Sequence, residues 1–428
     1  MTFKDSFCPS PWFHMRVTNS GDYDYCRWQT KHSGQKTENI RDTTPKDFFQ
    51  NSMASIRMQM LAGETPLGCA DCYLMDKHNK VSGRQKQLLK TGVRLEYFDK
   101  SMLTSAWSSE YKNSYDQQGI VDLLPQDWQI DLGNFCNSAC LFCHSNYSSS
   151  LAVEWKKLGL LQTMPARNWC DDDKTLQVFL DTLLCSKKLS YLHFIGGETL
   201  ITPAFKKILK ELIKAGLASD VTIGFTTSLI TWDESIIDLL GNFKQVNLGM
   251  SVECLHPVND YVRYPSKIDQ VQDTINRWID IANSRGWLLQ IRTTPTILTI
   301  SHLLTIFEFA YSKNISVESC NFLDHPAYMR PTVLPLDYRV KIIESLDNWL
   351  KDKTQSVDTV VNTRDPNKAK LQVVQDAQSY VNYLKNQGDE SHMLPELINY
   401  LKIMESNRKN TVLDYLPEYE QLFRAAGY

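Results

Sequence analysis

Cys136, Cys140 and Cys143 form a C-x3-C-x2-C array inside Asp131-Leu-Gly-Asn-Phe-Cys-Asn-Ser-Ala-Cys-Leu-Phe-Cys143, just after a strand-like run from Trp128 to Leu132. Three thiolates this close together can hold three irons of a cubane cluster and leave the fourth iron open. Iron–sulfur clusters normally take four cysteine ligands, so a three-cysteine loop requires something else at the last corner. Zinc is the alternative reading, since His144 is adjacent and a remote fourth ligand would complete a tetrahedral site. Common zinc motifs pair their ligands as C-x2-C, however, and a four-residue step followed by a three-residue step is unusual for them.

A second group, Cys8, Cys26, Cys69 and Cys72, lies near the N-terminus. His14, Arg16 and Thr18 alternate with Phe13, Met15 and Val17, and Asn19-Ser20-Gly21-Asp22 has the residues a turn needs. The pattern predicts a β-hairpin that brings Cys8 and Cys26 together. An amphipathic helix from Phe48 to Leu61 follows, and then Gly68-Cys69-Ala-Asp-Cys72, a tight ligand pair. Four thiolates suit either a closed [4Fe–4S] cluster or a structural zinc, and spacing leaves both open. Cys170, Cys185, Cys254 and Cys320 stand alone and read as small buried hydrophobes.

The elements that must position the central array run from 126 to 330. Strand-like runs near 128–133, 190–196, 220–227, 245–253, 288–296 and 316–323 alternate with helical patterns near 146–160, 174–187, 203–217, 233–241, 267–285 and 301–313. That order predicts parallel βα units. The first strand is not followed by Gly-x-Gly-x-x-Gly, which argues against a dinucleotide-binding domain. Parallel α/β folds gather their active residues at the C-terminal ends of the strands. Those ends carry Gly196-Gly197-Glu198, Thr226-Thr227-Ser228 and Ser251-Val-Glu253, the last followed by Tyr261-Val-Arg263-Tyr264. Asp171-Asp172-Asp173 reads as a helix N-cap cluster.

The array with Phe142 before its last cysteine, followed by Gly-Gly-Glu at the second strand end, resembles the radical S-adenosylmethionine (SAM) enzymes. The resemblance implies an α/β fold, a partial (β/α)6 barrel of the TIM type. It also implies SAM chelated to the open iron by its amino and carboxylate groups, with reductive cleavage to a 5′-deoxyadenosyl radical that takes hydrogen from substrate. By the same resemblance, Gly196 and Gly197 let the backbone approach the SAM amino group, and Glu198 accepts a hydrogen bond from it. Phe142 packs near the adenine, Ser228 lines the site, Ser251 and Glu253 take the ribose hydroxyls, and Arg263 binds the carboxylate. Three departures are Thr199, where Pro is usual, Thr226-Thr227-Ser228, where Thr-Asn-Gly is common, and Glu253, where Asp is usual.

Cys8-x12-Gly21-x4-Cys26 followed by Cys69-x2-Cys72 is similar to the SPASM cluster domains that accompany many radical SAM enzymes. Further cysteines are missing, and His78 occupies the next such position, so the abbreviated form resembles a Twitch domain with one auxiliary [4Fe–4S] cluster. Cys8-Pro-x-Pro-Trp12, Arg57-Met-x-Met-Leu-x-Gly63 and Ser82-Gly-Arg84 resemble Twitch proteins whose cluster domain precedes the core. Asn407-Arg-Lys-Asn-Thr through Pro417-Glu418 resembles the tail that closes this group, and packing or substrate docking is its expected role. The resulting plan is a Cys-rich Twitch-like domain over 1–100, a polar connector over 101–125, the core over 126–330 and a helical C-terminal extension over 331–428. That extension has helices near 336–351, 370–386, 394–406 and 415–425, and a polar surface loop over 352–368.

Composition bounds the rest. The 428 residues are 42% hydrophobic and 22% charged, ordinary for a soluble globular chain. A formal net charge of −3 provides no footprint for nucleic acid, and the absence of an eighteen-residue apolar run argues against a membrane span. Eleven cysteines, clustered, with no apolar signal segment at Met1, suit metal chemistry in the cytoplasm. The expectation is a SAM-cleaving enzyme that draws electrons from a flavodoxin or ferredoxin and acts on a peptide or protein. A small-molecule substrate (sugar, nucleotide or amino acid) and a non-enzymatic, zinc-stabilised binding protein are the alternatives. No catalytic acid, base or radical-quenching residue stands out.

Overall fold

The computed structural model describes residues 6–30, 37–77, 81–91, 108–319, 322–354 and 368–428. Its frame is one eight-stranded sheet. The strands are β1 (His14–Val17), β2 (Tyr23–Asp24), β3 (Asp127–Asp131), β4 (Tyr191–Ile195), β5 (Thr222–Thr227), β6 (Gln245–Ser251), β7 (Leu288–Arg292) and β8 (Ser316–Glu318). The sheet order is β2-β1-β3-β4-β5-β6-β7-β8, and every neighbouring pair is parallel except the β1–β2 hairpin. The six expected core strands are present in sequence order, separated by helices at Ser149–Lys157, Asp173–Leu184, Pro203–Lys214, Glu234–Leu240, Ile268–Arg285 and Leu304–Lys313.

Strand alternation separates two environments. Trp128, Phe194 and Phe225 point outward and pack on Phe179, Phe205 and Trp278 of the surrounding helices. All six are buried, and aromatic contacts of this kind add to the area they remove from water. The opposite parity is polar. His14, Asp127 and Tyr191 share one register row, and Arg16, Gln129, His193, Gly224 and Asn247 share the next. Arg16 donates to Asp131 at 2.5 Å, and His14 Nδ1 lies 3.1 Å from Asp127. Gly224 leaves room for the Tyr191–His193 pair, since a Cβ there would stand 2.5 Å from the Tyr191 hydroxyl.

Several expectations are corrected. The hairpin adds two strands to the core sheet, because β1 lies parallel to β3 over four residues. The polar connector contains a helix, Ser108–Asp116, held by buried Tyr111 edge-on to Phe7 and Trp12. Cys185 is exposed, because it caps the end of helix Asp173–Leu184 away from that helix's apolar face. Cys170 and Cys254 are buried. Residues 352–354 complete the helix Leu336–Thr354, and the next helix opens at Lys368. The expected surface loop over 355–367, together with His78 and Cys320, lies outside the described residues. Asp172 caps its helix by accepting from the Thr175 N–H at 2.8 Å. No described helix is long and apolar enough to cross a membrane.

Candidate cluster and cofactor site

The Cys136–Cys143 loop leaves the C-terminal end of β3 and is fastened from several directions. Ser149 Oγ accepts from the Cys136 N–H at 3.1 Å, and Ser150 Oγ donates to the Cys136 carbonyl at 2.7 Å. The Ala139 N–H reaches the Tyr264 carbonyl at 2.7 Å, and the Leu141 N–H reaches Val262 at 2.9 Å. Gly196 and Gly197 let the end of β4 press against this loop. A Cβ on Gly197 would stand 2.2 Å from the Phe135 carbonyl, and one on Gly196 would stand 2.6 Å from the Gly133 carbonyl. The Gly197 and Glu198 N–H groups donate to Gly133 and Phe135.

One cleft collects most of the sequence-derived residues. Cys136, Cys140, Cys143, Phe142, Gly196, Gly197, Ser228, Ser251 and Arg263 all line it, together with Thr226 and Tyr147. Burial pushes the Cys136 thiol up to about 11 and the Cys143 thiol up to about 12, and it raises Cys140 as well. A centre that takes these groups as thiolates must therefore bring positive charge of its own. His144 has its Nδ1 engaged by the Asn146 N–H at 3.1 Å, and its ring lies edge-on to Trp155.

The two acids stand behind the cleft wall. Glu198 accepts from the Ser228 N–H and hydroxyl, both at 2.6 Å, and from the Leu200 N–H at 3.1 Å. Glu253 accepts from Arg263 at 2.7 Å, from the Thr294 N–H at 2.5 Å and from the Thr293 hydroxyl at 3.0 Å. Burial raises the Glu253 carboxyl, and these donors pull against it. Burial opposes the charge on Arg263, but Cys140 and Glu253 outweigh it and hold the guanidinium protonated. That guanidinium sits 5.9 Å from the centre of the Phe142 ring.

Cys8, Cys26, Cys69 and Cys72 border one cavity with Tyr25, Trp28, Tyr73 and Arg84. Among the described residues, no three His, Cys, Asp or Glu side chains converge closely enough to hold a single metal ion. Burial raises all four thiols, Cys26 to about 12 and Cys69 to about 11. Polar groups offset this. The Trp28 N–H donates to Cys26 Sγ at 3.3 Å, and the backbone N–H groups of Gly83 and Arg84 lower Cys72. Tyr25 lies 3.8 Å from Cys69 Sγ, against Gly68, where any Cβ would collide with its hydroxyl. Buried Arg57 supports the rim through the carbonyls of Pro11, Gly119 and Phe49.

Residues 130–303 match the radical SAM superfamily. That stretch runs from the end of β3 past β7 and includes the Cys136–Cys143 loop. No curated protein matches the chain. Among solved structures, Streptococcus suis SuiB is similar at 11% identity, covering 79% of this chain and 68% of SuiB, with a TM-score of 0.37. SuiB bound to its precursor peptide SuiA gives 12%, 79%, 69% and 0.38. Native anSMEcpe with bound AdoMet gives 16% identity over 53% of this chain and 61% of that one, with a TM-score of 0.37.

Sequence reasoning missed the residues that hold the Cys136–Cys143 loop from the C-terminal extension. Tyr400 donates to the Leu141 carbonyl at 3.0 Å, and Arg408 donates to the Ala139 carbonyl at 2.6 Å. Arg408 also forms a two-point pair with Glu154 at 2.9 and 2.7 Å. One signal was available. Glu154 shares the buried side of its helix with Leu151 and Ala152, where an unpaired carboxylate would be costly.

Proposed function

We propose that the chain cleaves SAM reductively at a [4Fe–4S] cluster on Cys136, Cys140 and Cys143 and uses the radical to take hydrogen from a peptide or protein. Cys136, Cys140 and Cys143 would hold the cluster, which when reduced would supply the one electron that breaks the C–S bond of SAM into methionine and a 5′-deoxyadenosyl radical. The observation that carries this reading is the single cleft shared by the three thiols, Gly197, Ser251 and Arg263. Arg263, kept cationic, presents a guanidinium for the SAM carboxylate. Ser251 faces the same space and suits a ribose hydroxyl, while Glu253 acts on the site through Arg263. Glu198 holds Ser228 in the wall, and the glycines bring the β4 turn against the cysteine loop. The engaged state of His144 favours a three-thiolate centre over a zinc site that uses His144.

An auxiliary [4Fe–4S] cluster on Cys8, Cys26, Cys69 and Cys72 belongs to the same proposal. Thiols that border a shared space suit a multi-iron cluster, whereas ligands of a single zinc all lie within about 2.3 Å of one point. Their N–H donors would stabilise thiolate sulfur. The electrons would come from a donor such as flavodoxin or ferredoxin.

A second substrate reading, a small polar molecule, is favoured by the inward row of the strands. Gln290, Arg292, His193 and Asn247 border a lumen cavity, and Arg292 reaches Thr226, which also lines the cleft. Anaerobic iron analysis with low-temperature EPR, with and without SAM, tests the reaction class. About eight irons per chain and a SAM-sensitive signal are expected for two four-iron clusters, and colourless zinc protein after anaerobic reconstitution would refute it. Incubating the loaded enzyme with SAM and either a peptide library or a metabolite extract, and measuring 5′-deoxyadenosine, separates the two substrate readings.

A further inference from the structure

The carbonyls on either side of Cys140 are both held by the C-terminal extension. Ala139 takes its bond from Arg408 and Leu141 takes its bond from Tyr400, which stand 269 and 259 residues away in the chain. The matching N–H groups are taken by Tyr264 and Val262, so the backbone flanking this buried thiol is fixed at four points. Arg408 lies 4.7 Å from the Tyr264 ring, and so it braces the same partner that receives the Ala139 N–H.

We propose that Arg408 and Tyr400 are positioning residues for Cys140, and that the segment around Asn407–Asn410 is a working part of the catalytic centre. This rests on the reading that the three central cysteines hold the catalytic cluster. Arg408 is nearly fully buried, and a buried ion pair is weak evidence for stability alone, since an apolar replacement often serves as well. A guanidinium, by contrast, can grip a carboxylate at two points and still donate to a third acceptor. Here it joins helix Ser149–Lys157, whose first turn holds the Cys136 carbonyl, to the turn that carries Cys140. Asn407 adds a bond to Glu154 at 3.1 Å. The extension is itself tied down at Glu405, which accepts from Tyr261 at 2.6 Å, from the Val412 N–H at 2.7 Å and from Tyr428 at 2.7 Å.

The test compares the parent full-length chain with Arg408→Gln, Arg408→Lys and Tyr400→Phe. In the metal-free chain, N-ethylmaleimide labelling of each cysteine is timed by mass spectrometry under anaerobic conditions. Arg408→Gln should speed Cys140 labelling by about ten-fold, the scale of one lost charge-assisted hydrogen bond. Cys170 and Cys254 should keep their parental rates. Arg408→Lys should fall between, because it restores charge without the fork, and Tyr400→Phe, which keeps the ring, should give about a three-fold rise. In loaded protein the reduced cluster's EPR signal and midpoint potential should shift in the same order. Parental Cys140 rates in all three variants would overturn the proposal, and so would acceleration of Cys140 only in step with Cys170 and Cys254. If Arg408→Gln does not fold, Tyr400→Phe decides. Failure of the parent chain to bind iron or respond to SAM would refute the cluster reading, while the labelling rates would still decide the positioning role.

Discussion

Arg263 donates to Glu253 at 2.7 Å across the back wall of the cysteine cleft, with Glu253 fully buried and Arg263 facing the cleft. The acid therefore sets the orientation of the guanidinium, which faces the cleft where SAM is proposed to bind. Replacing Arg263 with Gln strands a buried carboxylate, and a loss of about 3–5 kcal/mol is expected. SAM binding should weaken at least about ten-fold, the scale of one charged hydrogen bond. Glu253→Gln keeps the guanidinium and should cost less in both respects. Denaturant melts and a SAM titration followed by EPR check this, and undiminished SAM affinity in Arg263→Gln would remove its assigned role.

Gly197 is the tightest approach between β4 and the cysteine loop. Its added Cβ would stand 2.2 Å from a backbone carbonyl that has no side-chain freedom to yield. Gly197→Ala should displace Phe135 and Cys136 together and lower iron at the central site, while the N-terminal cysteines retain theirs. Gly388→Ala is the control, because a Cβ there meets nothing and Gly388, like Gly197, has no left-handed φ. Equal iron content in parent and Gly197→Ala would show that the close approach is dispensable.

The two cysteine groups should load independently. Changing Cys136, Cys140 and Cys143 to Ala should remove about half of the iron and all SAM cleavage. Changing Cys8, Cys26, Cys69 and Cys72 to Ala should remove the other half and leave a SAM-sensitive EPR signal. Zinc retained in the second variant in place of iron would contradict the central assignment.

Acid should weaken the fold through His193. Burial, followed by Arg292 and Arg27, pushes its imidazole down to about 3. An unfolded histidine titrates near 6.5, so below that pH the unfolded chain binds a proton that the native chain refuses. Stability should fall as pH drops from about 6.5, by up to about 1.4 kcal/mol per unit, and be indifferent to this group above it. Urea melts at three pH values should show a shallower slope for His193→Gln, and identical slopes would refute the assignment.

The cysteine spacing, the order of six parallel strands and the helices between them were legible in the sequence, because each depends on neighbours within a few residues. Apolar alternation at Trp128 and Ile130, or Leu192 and Phe194, places a strand wherever it lies in the chain. The loop after β3 carries its three cysteines for the same reason. Only the tertiary structure decided what those cysteines rest against. Nothing local in Glu198 says that Ser228 will occupy its carboxylate, and nothing near Arg408 says that its guanidinium ends beside Cys140. The polar parity of β1, which alone would read as a solvent face, became a largely buried face because β1 lies against β3 and Arg16 meets Asp131. Such pairings join residues 30 to 269 positions apart. They are set by which buried charge or carbonyl is left needing a partner once the strands close, and a local pattern has no access to that.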